Sequence, residues 1–221
     1  FSKGIPLKNI KTLGGRPLIA YTAESASHSK YINRTIVSTD SKKIIEKCNF
    51  LSLDVPFIRP KNISLDETPT LSVIKHAINE LENIGESYDI ICLLQPTSPF
   101  RSKNLIDIAI EKFLKEKTDS LLSVRIVPHQ YNPHWVFEKN EDGYLKIASG
   151  DKKIISRRQD LPDTYFRDGA IYLLSKKTLL KDTLFGGKIS YIINDFKYHI
   201  NLDNYEDWAA AEKMVKNFNN L

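Results

Sequence analysis

Ile90-Ile91-Cys92-Leu93-Leu94-Gln95-Pro96-Thr97-Ser98-Pro99-Phe100-Arg101 sets five apolar residues in a row and then turns abruptly polar. An unbroken apolar run of this length reads as a strand covered on both faces, as in a parallel sheet wrapped by helices. Two prolines stop the strand and fix a loop at its carboxyl end. Cys92, inside the run, reads as a core thiol.

Working outward, the same rhythm recurs on both sides. Ser102 opens a helix whose core face is Ile106, Ala109, Ile110 and Phe113, and Ser120–Val127 reads as the next strand. Upstream, Ile74, Ala77, Ile78 and Leu81 fall at helical spacing after Thr70. Val55-Pro56-Phe57-Ile58 is a short strand-like run. Arg34–Asp40 is β-branched, and polar residues open a helix near Ser41. Strands alternating with helices predict an α/β fold, a mostly parallel sheet flanked by helices. Ligands of such sheets gather beyond the carboxyl ends of the strands. The Gln95–Arg101 loop, the turn after Asp40 and the cationic loop at the chain's start are therefore expected on one rim.

That cationic loop is Ser2-Lys3-Gly4-Ile5-Pro6-Leu7-Lys8-Asn9. Two ammonium groups and a glycine-freed backbone suit a polyphosphate. No glycine precedes a Lys-Ser or Lys-Thr pair, so it is not a Walker loop. The strand that should feed it is expected to precede Phe1. Residues 1–221 read as one domain, interrupted at 128–166 by a Pro-, His- and Asn-rich arm with a weak strand signal at Tyr144–Ile147. Order returns with the strand Ala170–Leu174. A closing helix places Tyr205, Trp208, Ala211, Val215 and Phe218 on one face.

Composition narrows the partners. Hydrophobic content of 41% and charged content of 27% are ordinary for a globular chain of 221 residues. A net charge of +5 favours anions. The lysines are dispersed, which fits a solvated Lys-rich surface better than a nucleic-acid groove, and a small anionic substrate fits equally well. No apolar run is long enough to span a bilayer, so no membrane partner is expected. Cys48 and Cys92 show no metal-ligand spacing and no disulfide framework, which favours a reducing, cytoplasmic setting. His76, His129, His134 and His199 do not cluster at ligand spacing.

Ser2–Asn9, Ile36-Val37-Ser38-Thr39-Asp40, Leu94–Arg101, Arg158-Gln159-Asp160-Leu161-Pro162 and Gly169-Ala170-Ile171-Tyr172 together resemble the acylneuraminate cytidylyltransferases, the CMP-sialic acid synthetases. The similarity runs in order along essentially the whole chain. It implies a Rossmann-like domain whose small arm mediates a homodimer. It also implies a reaction joining CTP to the anomeric hydroxyl of a nine-carbon 2-keto sugar acid, with Mg²⁺ assistance and release of pyrophosphate. The sugar could be N-acetylneuraminic, legionaminic, pseudaminic or deaminated neuraminic acid. Alternatives are a hexose-1-phosphate or Kdo-type nucleotidyltransferase, or a non-catalytic nucleotide-binding homologue.

Residue by residue, the resemblance implies nucleotide contacts at Ser2, Lys3, Gly4, Lys8 and Asn9, and at Arg59 and Thr70 around the cytosine. Thr70 could equally cap the helix it opens. Lys3 and Lys8 would neutralise the departing pyrophosphate. Gln95, Arg101 and Tyr172 fall to the acceptor sugar, and Arg158 or Arg167 to its carboxylate, which a guanidinium fork matches. The family's arginine, one residue, then Asn-Gly appears here as Arg167-Asp168-Gly169, so the arginine is displaced and Asp168 adds a charge to the sugar pocket. The family's Asp-x-Asp metal pair appears as Asn201-Leu202-Asp203, where Asp203 keeps the hard oxygen Mg²⁺ prefers. Asp203-Asn204-Tyr205-Glu206 also reads as a capping box for the last helix.

Overall fold

Each long helix carries one apolar stripe, and each stripe packs into a buried cluster. The computed structural model describes residues 4–195, 197 and 199–218. In chain order it contains the hairpin β1 (Thr12–Leu13) and β2 (Arg16–Pro17), α1 (Leu18–Ser27), α2 (Lys42–Phe50), α3 (Thr70–Asn83), β3 (Ile90–Leu93), α4 (Leu105–Glu116) and β4 (Ser120–Ile126). The hairpin β5 (Phe137–Lys139) and β6 (Leu145–Ile147) follows, then β7 (Tyr165–Ser175), α5 (Lys176–Leu179), β8 (Ile189–Ile193) and α6 (Tyr205–Phe218).

The central sheet has the order β3-β7-β4-β8. β7 runs antiparallel to both β3 and β4, and β4 runs parallel to β8. Three of its four strands therefore share one direction, with β7 reversed between them. The expected α/β architecture stands, and the reversed strand is an addition to it. Arg34–Asp40 forms less than a full strand: Ile36 and Thr39 make isolated parallel bridges to Asp54 and Ile58.

α4 lays Leu105, Ile106, Ala109, Ile110 and Phe113 against Leu121, Ala170, Ile171 and Leu173 of the sheet. α3 packs Ile74 against Leu174 and Leu179. α6 buries Trp208, Ala211 and Val215 in a cluster with Leu13, Leu18 and Tyr21. Tyr205, expected on that buried face, is exposed instead, with the Lys11 ammonium over its ring. It opens the helix, one turn short of where the stripe meets the core. The arm contains the β5–β6 hairpin, with the Trp135 indole donating to the Ile155 carbonyl at 2.6 Å. Its last two residues, Tyr165 and Phe166, already belong to β7, which starts earlier than Ala170.

Candidate active site

Three loops meet at one end of the sheet, and each is pinned by a single apolar side chain. Ile5 comes from the cationic loop, Phe100 from the loop after β3, and Leu202 from the segment before α6. All three are buried in the α6 cluster. Burying one such side chain is worth roughly 1.5–3 kcal/mol, which offsets part of the entropy cost of ordering a short polar loop. The loops also lock directly. Leu202 N–H donates to the Thr97 carbonyl at 2.9 Å. A Cβ at residue 4 would lie 2.2 Å from the Asp203 carbonyl oxygen, so Gly4 acts here through close backbone contact. Ser2 and Lys3 lie outside the described residues.

Lys8 joins the cationic loop to the expected metal segment. Its side chain is buried, its ammonium donates to the Leu202 carbonyl, and Nζ stands 3.9 Å from Asp203 Oδ1. Burial lowers its pKa below the usual lysine value, while Asp203 and Asp207 pull it back up. Asp203 itself is exposed and accepts from Asn201 Nδ2 at 2.6 Å.

The expected cap on α6 moves by one residue. Asn204 Oδ1 accepts from Asp207 N–H at 2.9 Å, and Asp207 Oδ2 accepts from the N–H groups of Asp203 (2.8 Å) and Asn204 (3.0 Å). This is a reciprocal box built on Asn204 and Asp207, satisfying helix-end donors in both directions. Asp203 contributes a backbone N–H to it and keeps its carboxylate free of capping. Among the described residues, no group of three His, Cys, Asp or Glu side chains forms a metal cage. Mg²⁺ does not need one, because it commonly binds through one or two carboxylates plus substrate phosphates and water. Asp203, beside a loop cation and open to solvent, fits that mode.

A cavity of about 1020 Å³ opens between the Ile36–Thr39 segment and β3. Lys8, Asn9, Asp40, Arg59, Thr70 and Gln95 all line it, so the three expected loops do share one rim. Ile36, Ile74, Ile78, Ile91 and Leu93 also line the cavity and offer no side-chain donor to a phosphate. Arg59 is tied through its backbone N–H to the Thr39 carbonyl at 3.0 Å, while its Nε has no hydrogen-bond partner among the described residues. Ser38 also lines the cavity, its Oγ likewise has no partner among the described residues, and its place in a β-branched run gives no sequence signal of a site. Thr70 does not cap α3. Pro69 holds the cap position, and Thr70 is the first helical residue.

Two expected sugar contacts have other work. Arg101 is buried, and its guanidinium donates to the Ala170 carbonyl (2.9 Å), Thr22 Oγ1 (3.0 Å) and the Gln95 carbonyl (2.8 Å). Burial lowers its pKa to about 10, against the raising effects of Cys92 and Asp168. All three directions of the fork are spent inside the protein, so it clamps the Gln95 loop onto β7 and does not face a sugar. Asp168 is buried too. Its Oδ1 accepts from Ser123 Oγ and Ala170 N–H, and its Oδ2 accepts from Asn194 Nδ2 at 2.6 Å. It adds no charge to an open pocket.

Gln95 remains on the rim. Arg158, Arg167 and Tyr172 do not line the cavity. Arg158 sits exposed in a short turn of the arm, next to Arg157, which pairs with Asp160 at 2.7 Å. Arg167 is exposed on β7 and lies close enough to Tyr172 to oppose the rise that burial causes in the phenol pKa.

This arrangement brings cations, a solvent-exposed carboxylate and an amide to the carboxyl ends of strands, as a nucleotidyl transfer requires. Comparisons with known proteins agree. The cytidylyltransferase family profile matches residues 1–206. A pseudaminic acid cytidylyltransferase of Campylobacter jejuni is 32% identical over 216 residues, covering 97% of this chain and 92% of that protein. A CMP-N,N'-diacetyllegionaminic acid synthase of Legionella pneumophila is 28% identical over 219 residues, with the same two coverages. Among solved structures, a CMP:2-keto-3-deoxy-manno-octonic acid synthetase complexed with CTP superposes with a TM-score of 0.72 at 11% identity, covering 98% of this chain and 95% of that one. That likeness shows the fold. The family profile and the Campylobacter relative show the rest: this chain belongs to the cytidylyltransferase family and is a nucleotidyltransferase.

Proposed function

We propose that the chain transfers the cytidylyl group of CTP to the anomeric hydroxyl of a nonulosonic acid, a nine-carbon 2-keto sugar acid. The sugar oxygen bonds to the α-phosphorus, the bond from that phosphorus to the bridging oxygen breaks, and pyrophosphate and the hydroxyl proton are released. The observation that carries the reading is the Lys8–Asp203 juxtaposition, which sets a cation and an anionic oxygen at the meeting point of three loops. Lys8, with Lys3 and Ser2 before it and Gly4 and Asn9 beside it, would take the phosphates. Arg59 and Thr70 would face the base.

Asp203, with Asn201 adjacent, would hold Mg²⁺ together with phosphate oxygens and water. When bound, the ion would offset charge on the triphosphate. Gln95 would orient sugar hydroxyls, and Arg158 or Arg167 would grip the sugar carboxylate, with Tyr172 nearby. Nonulosonic acids are favoured as acceptors because the similar Campylobacter and Legionella proteins are named for pseudaminic and legionaminic acid.

A homodimer formed through the arm is supported by exposed Tyr144, Leu145 and Ile154 on it. Among the described residues no helix is long and apolar enough to cross a membrane. The free thiols Cys48 and Cys92, the latter pushed up to about 12 by burial, support a cytoplasmic setting.

The test is pyrophosphate release with CTP, Mg²⁺ and a panel of pseudaminic, N,N'-diacetyllegionaminic, N-acetylneuraminic and 3-deoxy-octulosonic acids. Turnover of at least one nine-carbon acid is expected. Turnover of the eight-carbon acid alone, or of none, would reject the reading.

A further inference from the structure

The β4–β7 ladder is broken at one place, and the break faces the rim. Leu122 pairs with Tyr172 and Val124 with Arg167, so Ser123 alone opposes the four residues Asp168–Ile171. An excursion of this size unties ladder hydrogen bonds and bends the strand, and bulges of this kind re-aim side chains next to sites. Here side chains replace the lost bonds. Asp168 Oδ1 accepts from Ala170 N–H at 3.0 Å and from Ser123 Oγ, while Ser123 Oγ accepts from Ile171 N–H at 2.9 Å. Asn194 closes the far side of the carboxylate, and its own carbonyl accepts from Arg125 at 2.9 Å.

The bulge is fitted against the Gln95 loop. Ser98 Oγ donates to the Asp168 carbonyl at 3.1 Å, and Arg101 bridges the Ala170 and Gln95 carbonyls. Gly169 has φ +79°, and a Cβ there would lie 2.8 Å from Gln95 Oε1 and 2.9 Å from Ser98 Oγ. The backbone at Gly169 is therefore the surface on which the Gln95 amide rests.

We propose that Asp168 is a positioning residue: with Ser123 and Asn194 it shapes the 168–171 bulge that seats Gly169 against the Gln95 side chain, and so sets the amide's orientation toward the sugar. This rests on the reading of Gln95 as a sugar contact. Three donors converge on the Asp168 carboxylate, and an amide at that position offers one acceptor oxygen in place of two. Asp168→Asn therefore disturbs the bulge while nearly preserving volume.

The experiment measures KM for CTP and for the nonulosonic acid that the wild type turns over fastest. It uses Asp168→Asn, Ser123→Ala and Gln95→Ala, singly and with each of the first two combined with the third. The first two substitutions are expected to raise the sugar KM severalfold with the CTP KM unchanged, which also reports an intact fold. Their effect on the sugar KM is expected to vanish in the Gln95→Ala background. Effects that instead multiply to within about twofold in the double variants would show independence and overturn the proposal. So would a parallel rise in the CTP KM. If Gln95→Ala alone leaves the sugar KM unchanged, the sugar-contact reading fails. The positioning claim is then judged by the Gln95 side-chain amide resonances, which move in Asp168→Asn if it holds and stay in place if it does not.

Discussion

The rim proposed to take the nucleotide and the arm that carries Arg158 are built by opposite strategies. On the rim, charged groups are backed by the core: Arg101 is 3% exposed, Lys8 is 8% exposed, and Ile5, Phe100 and Leu202 anchor the loops around them. In the arm, Arg157 and Arg158 are exposed, and Leu145 and Tyr144 stand more than 70% open to solvent. Preorganised donors act without reorganising when charge develops, whereas exposed ones must be ordered on binding at a cost of about 0.5–1.5 kcal/mol per side chain. The difference teaches that, if the rim carries the phosphate chemistry as proposed, that chemistry is set before substrate arrives. Recognition of the sugar carboxylate, if Arg158 supplies it, is assembled on binding.

The sharpest way to break this comparison is Arg101. Replacing it with Met takes the donor from two buried acceptors, the Ala170 carbonyl and Thr22 Oγ1, each costing about 1–3 kcal/mol when left unpaired, while the Gln95 carbonyl keeps the Ser98 N–H. A loss of roughly 3 kcal/mol or more is expected in chemical denaturation. Arg101→Lys should recover little of it, because one ammonium cannot reproduce a planar fork spread over three acceptors. A variant of normal stability with a raised sugar KM would return Arg101 to the open pocket.

Next in size is the chemistry at Lys8. Removing a donor that meets developing charge typically costs about 3 kcal/mol, roughly a hundredfold in turnover. Lys8→Ala should show that loss while still binding sugar. Unchanged turnover would make Lys8 only a strut beneath Leu202.

Asp203 and Asp207 separate metal from cap. Asp203→Asn should lower turnover and raise the Mg²⁺ concentration needed for half-maximal rate, with an unaltered melting temperature. Asp207→Ala should do the reverse, costing about 1 kcal/mol of stability as the box on Asn204 opens. A stability loss in the first variant, or a Mg²⁺ effect confined to the second, would exchange the two roles.

Apolar spacing explains what the sequence reveals. α3 and α4 are legible because Ile74, Ile78 and Leu81, or Ile106, Ile110 and Phe113, repeat with the helix, and β3 because five apolar residues stand together. The reversal of β7 is hidden, since an apolar strand looks the same in either direction and its neighbours are decided by the chain's return path. Ile5, Phe100 and Leu202 escape notice because a single apolar residue in a polar loop has no period. Arg101 and Asp168 mislead for a related reason. Charged residues at loop and strand ends are expected outside, and only tertiary packing supplies the carbonyls, Ser123 and Asn194 that let them be buried. The cap on α6 slips by one position because Asp203 and Asn204 are both good caps, and Asp207 four residues beyond the first fits the second.

A smaller effect than those at Arg101 and Lys8 is expected in the arm, where it tests the other half of the comparison. Arg158 is exposed, so its replacement leaves no buried acceptor unpaired and should not move the melting temperature. If its fork grips the sugar carboxylate, Arg158→Lys keeps the charge but loses the second of two parallel hydrogen bonds. A charge-assisted bond is worth about 1.5 kcal/mol or more, so a rise of about tenfold in the sugar KM is expected, with the CTP KM unchanged. Arg167→Lys serves as the parallel measurement, because Arg167 lies on the rigid β7 strand near Tyr172 and not on the arm. A tenfold effect at Arg167 with none at Arg158 would move carboxylate recognition onto the sheet. The sugar end would then be as preorganised as the nucleotide end, and the contrast between rim and arm would fall.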